Sequence, residues 1–380
     1  MRQYLKSINY ISFQFLTILN FFFNIYVLFV LSFLGFSNLT GEGFVVISLT
    51  TLLTHGLSFN SRNIYIGDTK NISFVEILRF RIFVGICSGI ICSLIFFILF
   101  DNKYFYFYQS IMLVTIFTWI IEIILAKNEI EKKLNKTYFF LIVMTIILIP
   151  INIVLFSIYN LIILVLLYCF FCLIIFSRIL NFSIINIAAS FSKNIKQFRL
   201  GISSSFFKYI SNLIWRYSIL ILIGSENAGM LFIAFSFGSF MGTMFDVSYG
   251  ANLVNNFKKK INKYLIFIIL YILISFICIY LFNYYSYLDS QKLNLFNRTV
   301  VWSLVGGIFM INSLFIRQKL FKIKKFIQIC FKLDLIGYLL ITILIPILFI
   351  IDKAYLSFAY FVSSVFVFLI YGISFKILIK

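Results

Sequence analysis

Among its 380 residues the chain has only one histidine, two prolines and twelve acidic side chains. A single histidine with no Cys/His cluster gives zinc no ligand set, so we expect no metal site. Cys169 and Cys172 have redox-motif spacing, but they lie in an apolar stretch without a βαβ context, which favours simple packing. Charged residues make up 12% of the chain and hydrophobic residues 62%, whereas about half apolar residues is usual in a soluble domain. These scarcities exclude a soluble globular protein.

Long apolar stretches follow one another along the whole chain, and about 20 apolar residues cross a bilayer. We predict an all-α integral membrane protein with about twelve transmembrane helices. The predicted spans lie near 9–34, 43–59, 77–100, 104–126, 137–157, 160–177, 200–223, 230–254, 262–283, 299–316, 328–351 and 355–376. The first is too long for a secretory signal and lacks the small-residue cleavage site, so we expect it to be retained.

The net charge of +20 is distributed unevenly between the two sides of the predicted membrane. Most Lys and Arg residues fall on the termini and the even-numbered connections, and the opposite side carries only Lys103, Lys292, Arg298 and Lys353. This positive-inside bias predicts that both termini are cytoplasmic. A basic surface for nucleic acid has no reason to alternate from loop to loop, so we expect no nucleic-acid partner.

The second six spans repeat the first six at a shift of 188 residues, which we call the repeat shift and which grows to 196 at the fifth span of each half. The matching pairs are Asn24 and Asn212, Ser37 and Ser225, Gly41 and Gly229, and Ser48 and Ser236. The two prolines, Pro150 and Pro346, each fall in the fifth span of their half. We therefore predict two six-helix lobes, 1–182 and 200–380, joined by a cytoplasmic linker at 183–199. Repeated bundles of this kind form transporters that hold substrate where the copies meet.

Polar residues at helical spacing recur on the first two spans of each half. They are Thr17, Asn20 and Asn24 on span 1, Ser48, Thr51, His55, Ser58 and Arg62 on span 2, Ser205, Lys208 and Asn212 on span 7, and Ser236, Ser239, Thr243 and Asp246 on span 8. In lipid such groups face protein or a water-filled cavity. They predict one polar cavity between the lobes, with hydrogen bonding between neighbouring helices as the alternative for each residue taken singly.

Arg216 lies roughly 12 Å from the outer end of span 7, close to the bilayer midplane. An arginine there costs on the order of 3 kcal/mol, so its charge needs a cavity, an anion or carbonyl partners. Contact with an anionic substrate is one hypothesis, since the guanidinium fork suits phosphate, and a structural role is the other. Lys208 and Asp246 lie deeper, where they are placed to form a structural or a functional pair.

The remaining ionisable candidates also have two interpretations each. His55 is either a satisfied interior histidine or a proton-coupling group, because the reference pKa of histidine is near neutrality. Asp246 is the other candidate for ion coupling. Arg62, Arg79 and Arg81 fall at cytoplasmic ends, where they are either interfacial anchors or contacts for an entering diphosphate headgroup.

Two runs of residues resemble a known family. One extends from Trp215 to Phe240 (WRYSILILIGSENAGMLFIAFSFGSF), and its first-half counterpart is Gly35 to Gly43 (GFSNLTGEG). With the twelve-span pattern, they resemble the polysaccharide transporters of the O-antigen flippase type. That superfamily also contains the multidrug and toxin extruders and the lipid II flippases. Many members have Asp before this arginine, where Trp215 stands here.

The resemblance implies a protein of the bacterial cytoplasmic membrane that moves an undecaprenyl-diphosphate-linked oligosaccharide to the outer leaflet. Rocking of the lobes, driven by a proton or sodium gradient, is the implied mechanism, and the pathway's polymerase and chain-length machinery are the implied partners. It implies no enzyme activity. No nucleotide-binding motif is present, and no cofactor is expected. The expected substrate contacts are Arg216, Lys208, Asn212, Asn24, Asn20, Ser48, Thr51, Ser236 and Ser239.

Two other functions compete with this hypothesis. An O-antigen polymerase would also handle lipid-linked glycans, but that family usually has a large periplasmic loop, and no predicted outer connection is long enough. A multidrug extruder of the same superfamily needs acidic cavity residues for cationic drugs. Here the charged residues deep in the predicted cavity are two basic ones, Lys208 and Arg216, and one acidic one, Asp246.

Overall fold

The computed structural model describes residues 23–57, 74–100, 104–130, 199–244, 257–285, 289–321 and 327–379, and every regular element in these ranges is helical. The helices are α1 (Phe23–Phe33), α2 (Ser37–Thr51) with a π-helical turn (Leu52–Gly56), α3 (Phe74–Leu99), α4 (Phe105–Ile130), α5 (Arg199–Ile223), α6 (Ser225–Met244), α7 (Phe257–Tyr285), α8 (Ser290–Phe321), α9 (Ile327–Ile351), a 3₁₀ turn (Lys353–Phe358) and α10 (Ala359–Ile379). The predicted spans 137–157 and 160–177 lie outside these ranges.

Six of the described helical segments are long and apolar enough to cross a membrane. They are Phe74–Leu99, Phe105–Ile124, Ser205–Ile223, Ser290–Leu320, Ile329–Ile351 and Lys353–Leu378. The prediction of an α-helical, multi-pass membrane protein is therefore confirmed. The number of twelve spans, the repeat and the cytoplasmic termini stay predictions.

The exposed face of α3 is apolar. On α3, Ile86, Ile90, Leu94 and Phe97 follow one another along one face and are largely exposed. In water such a continuous apolar face would be unfavourable, whereas in hydrocarbon the helix already satisfies its own backbone hydrogen bonds.

Two helical hairpins share one design. Gly35 ends α1 with φ 90°, and Gly224 ends α5 with φ 79°. This left-handed conformation is strained for any residue with a Cβ, so glycine follows the helix end. The Gly224 amide donates to the Leu220 carbonyl at 3.0 Å, and the Phe36 amide donates to the Leu31 carbonyl at 2.9 Å. Each hairpin thereby reverses the chain while a carbonyl near the helix end still accepts a hydrogen bond.

The chain divides into two compact units. Unit 1 comprises residues up to Val27 and Val46–Ile210, and unit 2 comprises Leu28–Val45 and Ser211 onward. The predicted lobes 1–182 and 200–380 and their linker 183–199 stay a prediction, because residues 131–198 lie outside the described ranges.

In unit 1, α3 packs along α4 and both contact the π-helical turn. A Cβ on Gly85 would lie 2.9 Å from Ile116 Cγ2, so the missing side chain lets the two helices approach. The Cys92 thiol points to the Thr50 hydroxyl at 3.9 Å, which joins α3 to the end of α2.

In unit 2, α6 packs on α8 and α8 packs on α10. A Cβ on Gly238 of α6 would lie 2.1 Å from the Ser303 carbonyl oxygen of α8, so the two backbones touch there. The Ser303 hydroxyl donates to the Ala234 carbonyl at 2.6 Å across the same contact. Small residues with an interhelical hydrogen bond are the usual means of helix association in lipid, where burial of apolar side chains gives little advantage.

We expect Gly238→Ala to lower the free energy of unfolding of unit 2, by about 1–3 kcal/mol for an overpacked site. The measurement is thermal or denaturant unfolding of the purified protein in detergent. Gly372→Ala on α10 is the matched control, because nothing lies within 4 Å of a Cβ there. Equal stability of the two variants would contradict the backbone contact.

Candidate functional site

The first feature of the candidate site is a reciprocal contact between the two hairpins, within unit 2. A Cβ on Gly41 of α2 would lie 2.1 Å from the Ser225 carbonyl oxygen, and a Cβ on Gly229 of α6 would lie 2.2 Å from the Ser37 carbonyl oxygen. The repeat shift that relates Gly41 to Gly229 also relates Ser37 to Ser225. Each helix thus presents the same Ser-x-x-x-Gly face to the other. We call this the hairpin contact.

Aromatic rings continue the hairpin contact along both helices. Phe44 and Phe232, which the repeat shift also relates, pack edge to face with ring centroids 5.6 Å apart. Trp215 of α5 lies against Phe232 at 6.1 Å and against Phe235 at 5.1 Å. The contact is therefore backbone to backbone at the glycines and ring to ring one turn further on.

A charged network adjoins the start of α6. The Ser37 hydroxyl donates to Glu226 Oε1 at 3.4 Å, and Lys292 of α8 forms ion pairs with Glu226 and with Asp289, the latter at 3.0 Å. Asp289 also caps α8, because its Oδ1 accepts from the Lys292 amide at 2.8 Å. These hydrogen bonds hold the pKa of the exposed Asp289 below its usual value. The network ties both hairpins to α8.

Arg216 projects from α5 toward α2. Its Nη1 donates to the Phe44 carbonyl at 3.0 Å, and its Cζ lies 5.0 Å from the centroid of the Phe44 ring. Of the three environments that the sequence left open for this charge, the structure supplies a carbonyl partner and a cation–π contact. The predicted substrate cation thus sits directly beside the hairpin contact.

Three of the predicted hydroxyl contacts donate to carbonyls of their own helices. Thr51 donates to the Ser48 carbonyl at 3.0 Å, Ser236 to the Phe232 carbonyl at 2.8 Å, and Ser239 to the Ser236 carbonyl at 3.3 Å. Ser48 and Ser236 are buried. Such back-bonding satisfies the hydroxyl donor while leaving the oxygen able to accept.

The remaining predicted site residues differ in burial, and some of them lie outside the described ranges. Asn212 is half-buried on α5, and Lys208 is exposed, with its Nζ 5.4 Å from the Tyr209 ring centroid. Asn24 lies on α1, and Asn20, Arg62 and Asp246 lie outside the described ranges. The Lys208–Asp246 pair therefore stays a prediction.

His55 lies in the π-helical turn of unit 1, and such turns often mark functional sites. Its Nδ1 is 3.2 Å from the Thr54 hydroxyl, and its ring lies 5.4 Å from that of Tyr209 and 6.0 Å from that of Trp119. Both interpretations of His55, the satisfied interior group and the coupling group, stay predictions.

Arg81 is buried in unit 1, and both roles that the sequence left open for it, interfacial anchor and headgroup contact, stay predictions. Its side chain is 1% exposed and forms an ion pair with Glu122 of α4 at 3.0 Å. The guanidinium also donates to the Trp119 carbonyl and lies 4.9 Å from the Trp119 ring centroid. The ion pair between α3 and α4 accounts for this position. Arg79 is half-buried on α3, and its contact with a headgroup stays a prediction.

Sequence reasoning missed a second interior ion pair, in unit 2. Arg317 of α8 donates through Nη2 to Asp334 Oδ2 of α9 at 2.8 Å and through Nε to Oδ1 at 3.1 Å. The Tyr371 hydroxyl of α10 donates to the same carboxylate. The available signal was an acidic and a basic residue in successive apolar stretches, 17 residues apart.

A groove of about 940 Å³ runs between α3 and α4 and is lined almost wholly by apolar side chains, apart from Ser93 and Gln109. Its lining differs from that of the predicted polar cavity. Among the residues with described positions, no group of three or more His, Cys, Asp or Glu side chains could hold a metal ion.

The helices and their buried charges define the class: this is a multi-pass α-helical membrane protein with ionisable groups inside its apolar helices. Comparisons with protein-family models, with curated proteins and with solved structures give no match for the chain.

We expect Asp334→Asn to cost about 3–5 kcal/mol of unfolding free energy, because it leaves Arg317 without its charged partner in the interior. The double variant Arg317→Met/Asp334→Leu should recover much of that loss, since it removes both buried charges. Denaturant unfolding in mixed micelles measures all three proteins. A double variant that is no more stable than Asp334→Asn would contradict the ion pair.

Proposed function

We propose that this protein flips an undecaprenyl-diphosphate-linked oligosaccharide from the cytoplasmic to the periplasmic leaflet of the bacterial cytoplasmic membrane. It does so by alternating access between two six-helix lobes, 1–182 and 200–380, with twelve spans and both termini in the cytoplasm. The observation that carries the proposal is Arg216, a guanidinium held inside an apolar helix beside the hairpin contact. The resemblance of the Trp215–Phe240 run to the polysaccharide transporters supports the same conclusion.

The chemistry of the substrate fits this environment. A diphosphate offers charged oxygens in the geometry that a guanidinium binds with two parallel hydrogen bonds. The hydroxyl oxygens of Ser236 and Ser239 can accept from sugar hydroxyls, because each hydroxyl donates to a carbonyl of its own helix. Asn212 and Lys208 on the same helix as Arg216 extend the proposed surface.

The hairpin contact supports the proposed relation between the lobes. Positions related by the repeat shift exchange equivalent contacts, as expected where two copies of one bundle face each other across a local two-fold axis. A rocking motion of such copies opens the central space to one side at a time. A proton or sodium gradient is the proposed driver, with His55 and Asp246 as the proposed coupling residues, and the polymerase and chain-length machinery of the pathway as proposed partners.

Deletion of the gene, followed by analysis of lipid-linked intermediates, tests the proposed function. Loss of a flippase leaves complete repeat units on the inner leaflet, and surface glycan disappears. Loss of a polymerase instead lets single repeat units reach the surface. If deletion leaves the lipid-linked intermediates unchanged, both the flippase and the polymerase functions are contradicted, and transport of another substrate is favoured.

When the deletion strain is complemented with the Arg216→Ala variant, we expect glycan export about tenfold or more below that with the parent protein. The reason is that a charge-assisted hydrogen bond to the substrate is lost. Surface glycan per unit of membrane-inserted protein is the readout. Arg298→Ala is the control, because it removes the same charge from an exposed position on α8, where Cζ of Arg298 lies 4.5 Å from the Phe358 ring centroid. Normal export by the Arg216 variant would contradict the substrate role.

A further inference from the structure

The hairpin contact has the properties of a two-state element. At Gly41 and Gly229 the helices meet backbone to backbone, without flexible side chains between them. Packed contacts of this kind are either formed or broken, because dispersion attraction falls steeply over a gap of an ångström. The groups that bridge the two hairpins therefore decide which state is populated.

Arg216 is one of these bridging groups, and the Phe44 carbonyl that it contacts is an acceptor that an anion can replace. The Phe44 carbonyl accepts its hydrogen bond, and the Phe44 ring contacts both the guanidinium and the ring of Phe232 on α6. A helix carbonyl is a neutral acceptor, whereas a phosphate ester or diphosphate offers charged oxygens and a paired geometry. An anion that reaches Arg216 therefore competes with Phe44 for the same guanidinium.

We infer that Arg216 is a substrate-responsive latch: bound to the Phe44 carbonyl it holds α5 to α2 and keeps the hairpin contact closed, and a diphosphate that takes its place releases the contact. The inference rests on the proposed function and adds a way for substrate binding to start the conformational change. Because binding linkage is reciprocal, opening the contact by other means strengthens anion binding by the same factor.

Two other contacts between the hairpins stabilise the closed state, and an anion does not compete for either of them. The Ser32 hydroxyl contacts Met230 Sδ at 3.1 Å, and Ser37 contacts Glu226, which Lys292 holds in place. Neither pair presents a guanidinium to the substrate. Their presence means that loss of Arg216 loosens the contact rather than separating the hairpins altogether.

Cross-linking of the full-length protein in nanodiscs tests the latch. The native cysteines are replaced by serine, and Ser37→Cys with Glu226→Cys provides a reporter pair whose native oxygens lie 3.4 Å apart. A short bis-methanethiosulfonate reagent reports how often the contact is closed, and inorganic pyrophosphate is the anion probe, with sodium chloride at matched ionic strength as its control.

With Arg216 present, we expect pyrophosphate to slow cross-linking by about tenfold, the effect of losing one charge-assisted hydrogen bond. Arg216→Met should cross-link slowly from the outset and should not respond to pyrophosphate, whereas Arg298→Met should behave like the parent. Equal rates for Arg216→Met and the parent, or an equal pyrophosphate effect in both, would overturn the latch, and so would no effect in the parent.

A second variant keeps the test decisive if Arg216→Met is poorly folded. Gly229→Ala opens the contact by steric clash and leaves Arg216 intact, so it should bind pyrophosphate more tightly by calorimetry, while Gly372→Ala should bind like the parent. Unchanged affinity in Gly229→Ala would overturn the inference.

The outcomes for the latch and for the proposed function are separable. Pyrophosphate carries neither sugar nor lipid, so its effect on cross-linking is independent of glycan export. If pyrophosphate does not change cross-linking but gene deletion abolishes glycan export, the latch is wrong and the proposed flippase function still holds. If pyrophosphate slows cross-linking but gene deletion leaves the lipid-linked intermediates unchanged, the flippase function is wrong, and the protein is a membrane protein that responds to an anion.

Discussion

Close approach of helix backbones at glycine is the constraint on which the rest of unit 2 depends. In a bilayer, apolar side chains gain little by leaving lipid for protein, so helices associate through van der Waals contact and hydrogen bonds between backbones. Gly238 meets the Ser303 carbonyl, and Gly41 and Gly229 meet carbonyls of the opposite hairpin. These approaches position the aromatic pairs of α6 around Trp215 and Phe232.

Three arginines inside apolar helices are accommodated in three ways. Arg81 meets the carboxylate of Glu122 and the carbonyl and ring of Trp119. Arg317 meets Asp334 through two nitrogens, with Tyr371 completing the carboxylate's hydrogen bonds. Arg216 donates to a backbone carbonyl and stacks on Phe44. A carboxylate partner neutralises a buried guanidinium, whereas the Phe44 carbonyl is a neutral acceptor that an anion can replace.

Parts of the candidate site could be predicted from the sequence, and parts could not. The match of Ser37 and Gly41 with Ser225 and Gly229 indicated positions of equal importance, and these positions meet one another. The matching polar stripes predicted a cavity, which stays a prediction; the spacing did not indicate that Ser236 and Ser239 donate to carbonyls of α6 itself. Spacing along a helix indicates which face a hydroxyl occupies, and the same hydroxyl can reach a carbonyl one turn back without any other helix.

Composition and hydropathy alone determined that this is an α-helical membrane protein, because the bilayer acts on each stretch of about 20 residues locally. Tertiary structure decided the partner of each buried charge. Arg81 and Arg216 lie in similar apolar surroundings, yet their partners are 41 and 172 residues away along the chain. Which helix comes to lie beside another depends on the packing of the whole bundle, and no local pattern contains that information.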